Sequence, residues 1–301
     1  MSKQRIGFIG VGFMGHGMAL NLMAKGFPLT IMGNRNRAPV EDLVGRGAKE
    51  VKSPREVAEN SDILFICVTD SPTVEKIIRD PDGVKAGAHP GLIVVDCSTA
   101  NPVSTEALAK ELDDVGVAMA DAPLGGTPAQ AAVGQLSAMV GADPQVYARI
   151  EPAISAWAAK VVHLGPIGSG HKMKLLNNFL SMGYAAIYAE ALALGQKVGI
   201  SIETFDSVIR GSRMDCGFYQ TFMGYALEGN PEAHKFTLSN AAKDLRYVDA
   251  MASAAQLANP ISSAAKNLFA QAVGAGKGSH FVPTIADFVA EQNGFKRKTK
   301  G

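Results

Sequence analysis

The sequence predicts an α/β domain built on a doubly wound parallel sheet, followed by an all-α domain with a long central helix. Three observations predict it. Up to about Gly165, short apolar runs rich in β-branched residues alternate with helix-like segments, the pattern of strands covered on both faces by helices. The first of those runs, Ile6–Ile9, leads into a Gly-x-Gly-x-x-Gly turn at Gly10, Gly12 and Gly15. Beyond Gly168, a stretch over residues 172–198 contains no proline, and 15 uncharged residues separate Lys174 from Glu190, which reads as one helix apolar on most faces.

Taken in order, Ile6–Ile9 is the first strand, and the glycine turn opens an amphipathic helix over 14–24 that stops at Gly26 as its C′ residue. Leu29–Met32 is the next strand and completes a βαβ unit. Ser53-Pro54-Arg55-Glu56 starts a helix, with Ser53 as N-cap, Pro54 at N1 and Glu56 in the capping-box position. Residues 63–68 and 92–96 read as buried parallel strands, and 73–79, 103–114 and 144–158 as helices. Shorter runs at 117–120, 137–140 and 161–163 extend the sheet. The loop Gly165-Pro166-Ile167-Gly168 closes this domain, so residues 1–165 form the first domain and 166–301 the second. In the latter, helices over Ile202–Ile209, 219–227, 238–255 and 262–275 accompany the long one. So few helices leave that central helix short of cover, and a homodimer or homotetramer is expected to supply it.

A chain of 301 residues accommodates two domains at roughly 150 residues each. With 47% hydrophobic and 19% charged residues the composition is that of a globular protein. A net charge of +1 argues against a nucleic-acid partner, and Lys296, Arg297, Lys298 and Lys300 read as a frayed basic tail. Cys67, Cys97 and Cys216 are odd in number and lack metal-type spacing, which fits reduced thiols and a cytoplasmic location. Glycines interrupt the N-terminal apolar run, unlike a signal-peptide core. The uncharged stretch 175–189 is shorter than the roughly 20 residues that span a bilayer and contains Asn177, Asn178 and Ser181, so no membrane partner is expected. None of the six histidines has the His-x-x-x-His spacing of paired ligands, and no metal is expected.

A glycine turn between a strand and a helix lets backbone amides and the helix N-terminus meet a pyrophosphate, the arrangement of Rossmann-type dinucleotide sites. Gly10, Gly12, Phe13, Met14 and Gly15 are therefore candidate cofactor-binding residues. A site for NAD places an acid about 20 residues further on, at the ribose 2′-hydroxyl. Here the second strand runs into Gly33-Asn34-Arg35-Asn36-Arg37. No acid repels a 2′-phosphate, and two guanidiniums are available to pair with one. NADP (NADPH) is expected in preference to NAD, with Asn34, Arg35 and Arg37 at the phosphate. The competing reading makes the arginines solvated loop charges.

Lys174 and Asn178 are four residues apart and share one helix face. A lysine at the head of an uncharged helix is a candidate proton carrier, because desolvation disfavours its ammonium form; the alternative is a side chain that snorkels to solvent. The spacing Gly168-x-Gly170-x-x-x-Lys174-x-x-x-Asn178 resembles the catalytic segment of the β-hydroxyacid dehydrogenase family, which includes 3-hydroxyisobutyrate dehydrogenases and semialdehyde reductases. The glycine turn with Met14, Asp96-Cys97-Ser98-Thr99, Asp121-Ala122-Pro123 and Lys243-Asp244-Leu245 are similar to other motifs of that family, in the same order. The resemblance thus spans nearly the whole chain, with a C-terminal domain like that of 6-phosphogluconate dehydrogenase. It implies an NAD(P)-dependent oxidoreductase that interconverts a small carboxylate-bearing aldehyde and its 3-hydroxy acid. By the same resemblance Lys174 is the general acid in the reducing direction, and Asn178 orients the substrate or the lysine. Thr99 meets the nicotinamide end of the cofactor, Val68 and Thr69 the adenine-side ribose, and Lys243 closes the site. Ser98, Gly125, Gly126 and Thr127 are implied to bind substrate. From the residues alone, Thr99 reads equally well as the N-cap of the helix after Pro102.

The chain departs from the family in its substrate loop, where Leu124-Gly125-Gly126-Thr127 replaces Val-Ser-Gly-Gly and loses the serine hydroxyl. Backbone amides remain for a carboxylate, and Thr127 is expected to restore a hydroxyl. The loop is similar to that of sulfolactaldehyde reductases, which carry arginine at the position of Gly126. Arg213 is the candidate substitute cation, set against its reading as a surface arginine. His171 is expected to be exposed at its helix start, and Asp96 to end a strand and fix a turn. Two rival readings are an imine reductase-like enzyme and a non-catalytic NADP-binding or sensing protein; Lys174 argues against the first, and Lys174 with Asn178 against the second.

Overall fold

Side chains along the strands alternate between two buried faces, and in the computed structural model, which describes residues 3–297, helices cover both. Ile6, Phe8, Ile63 and Phe65 enter one core, while Ile9, Leu64 and Ile66 enter the other. In the first core Phe65 stacks edge-on against Trp157 at 6.2 Å between ring centroids.

The elements are β1 (Ile6–Ile9), α1 (Gly15–Ala24), β2 (Leu29–Met32), α2 (Ala38–Gly45), β3 (Lys49–Val51), α3 (Pro54–Glu59), β4 (Ile63–Ile66), α4 (Ser71–Arg79), β5 (Ile93–Asp96), α5 (Pro102–Asp113), β6 (Ala118–Asp121), β7 (Leu124–Gly125), α6 (Pro128–Ala132), β8 (Leu136–Gly141), α7 (Pro144–Ile154) and β9 (Ala158–Gly165). The sheet order is β3-β2-β1-β4-β5-β6-β8-β7, with β9 also paired to β8. Strands β1 to β6 are parallel, whereas β8 runs antiparallel to both β6 and β7. The sheet is therefore mostly parallel, of Rossmann type. The helix expected over 144–158 ends at Ile154, just after Pro152, because the chain turns there to pair β9 with β8. Short α2, β3 and α6 carry too few residues for a periodic signal.

The chain divides into two compact units, Met1–Lys174 and Leu175–Gly301, and the division falls inside α8 (Ser169–Lys197). The second unit is helical: α9 (Ile202–Ile209), α10 (Gly217–Glu228), α11 (Leu238–Ala254), α12 (Pro260–Ala272) and α13 (Ile285–Gln292). They pack around Tyr219, Phe222, Leu238, Phe269 and Ile285, together with Met182, Ala185 and Ala189 of α8. Among the described residues no helix is long and apolar enough to cross a membrane. One expectation fails here. Arg297 is not part of a frayed tail: it is buried, pairs with Asp287 at 2.7 Å and donates to the Ala226 carbonyl. Lys298 and Lys300 lie outside the described residues.

Candidate active site

The three glycines that follow β1 differ in their surroundings. Gly10 has a φ of 100°, and a Cβ there would run into the Cys67 carbonyl. A Cβ on Gly15 would collide with the Gly10 carbonyl, so this glycine lets α1 press against the turn. Gly12 is different, since a Cβ there meets nothing within 4 Å. Packing of the fold does not require a glycine at that position. The first turn of α1 contains no acid, and Met14 at its N-cap position makes no side-chain capping bond; the His16 amide donates to the Gly12 carbonyl at 3.0 Å. Phe13 stands 92% exposed at the apex of the turn.

Beyond β2, the Asn34 side chain accepts from the Arg35 amide at 2.8 Å, and the exposed Arg35 guanidinium enters no ion pair among the described residues. Arg37 is committed elsewhere. Its guanidinium grips Glu50 through two bonds of 2.7 and 2.9 Å, which hold Arg37 above and Glu50 below their ordinary pKa values. Of the two arginines expected at a 2′-phosphate, Arg37 is thus engaged by Glu50 in this structure.

The ends of β4, β5 and β6 meet the start of α8. As expected, Asp96 closes β5 with a turn: Oδ1 accepts from the Ser98 amide at 2.9 Å. Ser98, implied to bind substrate, is buried, and its Oγ accepts from the Val68 amide at 3.1 Å, which ties two loops together. Thr69 is exposed and Thr99 half-buried. The N-cap of α5 is Asn101, whose side chain accepts from Val103, so Thr99 is not that cap. Asp121, the last residue of β6, caps α8 from a distance: its two oxygens accept the amides of Gly168 and His171, each at 2.6 Å. Burial pushes the Asp121 carboxyl up, while His171 and those two amides pull it back. Gly141 and Gly170 allow this approach, because a Cβ on either would strike Asp121. Contrary to expectation, His171 is fully buried, bonded to Ser98 and Thr105. Desolvation, with the nearby Asp96 charge, raises the thiols of Cys67, to about 12, and of buried Cys97.

Lys174 is half-buried one turn after His171, whereas Lys172 is exposed and pairs with Glu106 at 2.6 Å. In the helical unit Asn178 is buried and its amide donates to Asp244 Oδ2 at 2.6 Å. Lys243 lies 3.2 Å from Asp244 Oδ1 and 5.6 Å from the centroid of the Tyr247 ring. Asn178 and Lys243 therefore share the Asp244 carboxylate, a link within one unit that spacing alone does not reveal. Two surface recesses, of about 260 and 610 Å³, lie at the other edge of the sheet, beside Arg5 and His89 and beside Phe27 and Pro28. They flank the N-terminal ends of the strands, whereas ligands of such sheets bind at the C-terminal ends.

Residues 5–165 match the family model of the NAD-binding domain of 6-phosphogluconate dehydrogenase. Residues 168–284 match that of the NAD-binding domain of NADP-dependent 3-hydroxyisobutyrate dehydrogenase. The chain is 34% identical to 2-(hydroxymethyl)glutarate dehydrogenase of Eubacterium barkeri, over 81% of this chain and 79% of that one. The chain belongs to the β-hydroxyacid dehydrogenase family. It is 32% identical to NAD-dependent L-serine dehydrogenase of Pseudomonas aeruginosa, over 88% of this chain and 91% of the relative. Its fold matches a crystal structure of 3-hydroxyisobutyrate dehydrogenase from Salmonella typhimurium with a TM-score of 0.81 and 26% identity, over 95% of this chain and 100% of that one. As a β-hydroxyacid dehydrogenase the protein is an NAD(P)-binding oxidoreductase that acts on CH–OH groups.

In this β-hydroxyacid dehydrogenase the substrate-loop candidates are less free than expected. Gly125 lies in β7 opposite Ser137, and Gly126 has a φ of 129°. Thr127 does not restore a free hydroxyl: it is the N-cap of α6 in a capping box with Gln130. Arg213 is exposed in the loop between α9 and α10. Sequence reasoning gave Asp121 no role at α8 and left His171 exposed. The signal available was the pair of glycines flanking His171, Gly168 with a φ of 88° and Gly170 at a close approach, which mark a helix start pressed against other backbone.

Proposed function

We propose that this β-hydroxyacid dehydrogenase interconverts a 2-substituted 3-hydroxypropanoate and the corresponding aldehyde, with NADP preferred over NAD. One observation carries the reading. The open glycine turn after β1 and the helix start that bears Lys174, capped by Asp121 at the end of β6, lie at the same C-terminal edge of the parallel strands. The substrates named for the three relatives, 2-(hydroxymethyl)glutarate, L-serine and 3-hydroxyisobutyrate, share a CH₂OH group on the carbon that bears the carboxylate. One relative is named NAD-dependent, so cofactor choice follows each chain's own loop after β2. Here that loop offers Asn34 and Arg35 and no acid.

Residues 1–165 form the NADP-binding domain and 166–301 the substrate and oligomerisation domain. When bound, the nicotinamide supplies or accepts the hydride. Gly10, Gly12, Phe13, Met14 and Gly15 hold the pyrophosphate, Val68 and Thr69 flank the adenine-side ribose, and Thr99 and Lys243 serve the nicotinamide end. Lys174 gives its proton to the carbonyl oxygen on reduction and removes it on oxidation. Asn178, held by Asp244, orients the substrate, and backbone amides of Gly125 and Gly126 receive its carboxylate. In the helical unit Leu176, Leu180, Tyr184, Ile187 and Leu194 recur at helical spacing along α8 with 42 to 63% exposure, which supports a homodimer or homotetramer. The free thiols support a cytoplasmic location.

The test is a spectrophotometric screen of purified protein with NADPH and NADH against methylmalonate semialdehyde, tartronate semialdehyde, succinic semialdehyde, glyoxylate and sulfolactaldehyde. The first two are 2-substituted 3-oxopropanoates and are expected to oxidise NADPH fastest. No oxidation of either cofactor by any of them overturns the substrate class.

A further inference from the structure

His171 is fully buried one helical turn before Lys174. A buried imidazole is costly unless both nitrogens find partners, and here both do. Nε2 lies 3.0 Å from the Ser98 carbonyl oxygen, which only accepts, so Nε2 carries a proton and donates. Nδ1 meets Thr105 Oγ1 at 2.8 Å, and the backbone amide donates to Asp121 Oδ2 at 2.6 Å. Two carboxylate oxygens face the ring: Asp96 Oδ2, buried without a hydrogen-bond partner, at 3.9 Å from Nε2, and Asp121 Oδ2 at 3.8 Å from Nδ1. One side chain thus ties α8 to α5 and to the segment that continues into Thr99. Close packing of Gly170 on the Met139 carbonyl limits how far α8 can shift.

We propose that His171 is the positioning residue for Lys174, setting the rotation of the first turn of α8 and with it the placement of the ammonium at the C-terminal edge of the sheet. Residues three apart on a helix share a face, so a rotation at His171 is passed on to Lys174. A misplacement of about 1 Å costs roughly 100-fold in rate. The inference rests on the reading of Lys174 as proton donor for its kinetic consequence but not for its geometry.

Two readouts test it on the full-length chain. Reductive ¹³C-methylation followed by NMR, with the Lys174 resonance assigned by Lys174→Arg, reports the surroundings of that amine without cofactor or substrate. Steady-state kinetics report kcat and KM. His171→Leu is expected to move the Lys174 resonance and to lower kcat roughly 10- to 100-fold, with KM for NADPH changed less than about 3-fold. His171→Gln keeps a donor that reaches the Ser98 carbonyl and is expected to return both readouts toward wild type. A folded His171→Leu with an unmoved resonance, or a glutamine variant indistinguishable from leucine, overturns the proposal. If the leucine variant does not fold, Thr105→Val decides: a Lys174 resonance unmoved by the loss of the Nδ1 contact overturns it. If no carbonyl compound is reduced, the functional reading fails, and the resonance still decides the role of His171.

Discussion

Arg37 and Glu50 lock to each other through two hydrogen bonds, and the pair closes the loop after β2 against β3. On the proposed reading that loop faces the cofactor's adenine-side ribose, and the pair then gives the two arginines different tasks. Arg37 shapes the loop and Arg35 presents its guanidinium to solvent.

Arg35→Ala is therefore expected to weaken NADPH about 10-fold or more while leaving NADH within a factor of two, on the strength of a charge-assisted phosphate contact of roughly 1.5–3 kcal/mol. Arg37→Ala is expected to weaken both cofactors together, because it frees the loop. Fluorescence titration of each variant with both cofactors separates these outcomes, and equal losses in Arg35→Ala would dispose of the 2′-phosphate assignment.

Gly12→Ala is expected to leave the melting temperature within about 2 °C of wild type, since the added methyl meets no protein atom, yet to lower dinucleotide affinity at least roughly 10-fold. Gly15→Ala instead places its methyl against the Gly10 carbonyl and is expected to destabilise the fold itself. Thermal melts with and without NADPH distinguish a ligand's glycine from a packing glycine.

Lys174→Ala is expected to reduce turnover about 100-fold or more with NADPH binding near normal, the loss typical of a missing general acid. Lys172 provides the internal control. Its ammonium pairs with Glu106 on the surface, and Lys172→Ala is expected to change turnover less than about 2-fold. Unchanged turnover in Lys174→Ala refutes the assignment.

Asp249 on α11 accepts hydrogen bonds from Asn259 and Ser263 and pairs with Lys266, which hold its carboxyl below the ordinary value, the Asn259 bond most strongly. A depressed folded-state pKa means that the unfolded chain takes up the proton first as pH falls. Its contribution is present above the usual carboxylate range and is lost as pH drops through the depressed value. Asp249→Asn is expected to melt below wild type at pH 7, with the gap closing progressively below about pH 4. Melting curves of the pair across pH 3 to 7 check the sign; a gap that widens on acidification contradicts it.

Leu180→Glu with Ile187→Glu places two charges on the exposed apolar face of α8 without touching its buried residues. The wild type is expected to sediment as a dimer or tetramer and this variant as a monomer of native helicity. Sedimentation velocity decides between them.

What could be read along the chain depended on residues a few positions apart. Gly26 takes its positive φ of 79° at the end of α1, and Ser53 caps α3 by accepting from the Glu56 amide, because both are properties of a single turn. Even there the partner shifted: the Glu56 carboxylate accepts from Lys52 rather than from Ser53. Thr127 shows the harder case. A hydroxyl in a glycine-rich loop is chemically free to face a substrate, but α6 begins at Pro128 and takes it as a cap.

By itself the sequence determined the class of fold, the dinucleotide turn, the long helix and the family, because periodicity, glycine placement and motif order are written in local residues. Only tertiary structure decided which polar groups remain available for chemistry. Glu50 reaches Arg37 because β3 pairs with β2; Asp121 reaches α8, and His171 reaches Ser98, across sequence separations of 50 and 73 residues. A buried polar group must find its partner wherever the chain brings one, and that search is settled in three dimensions.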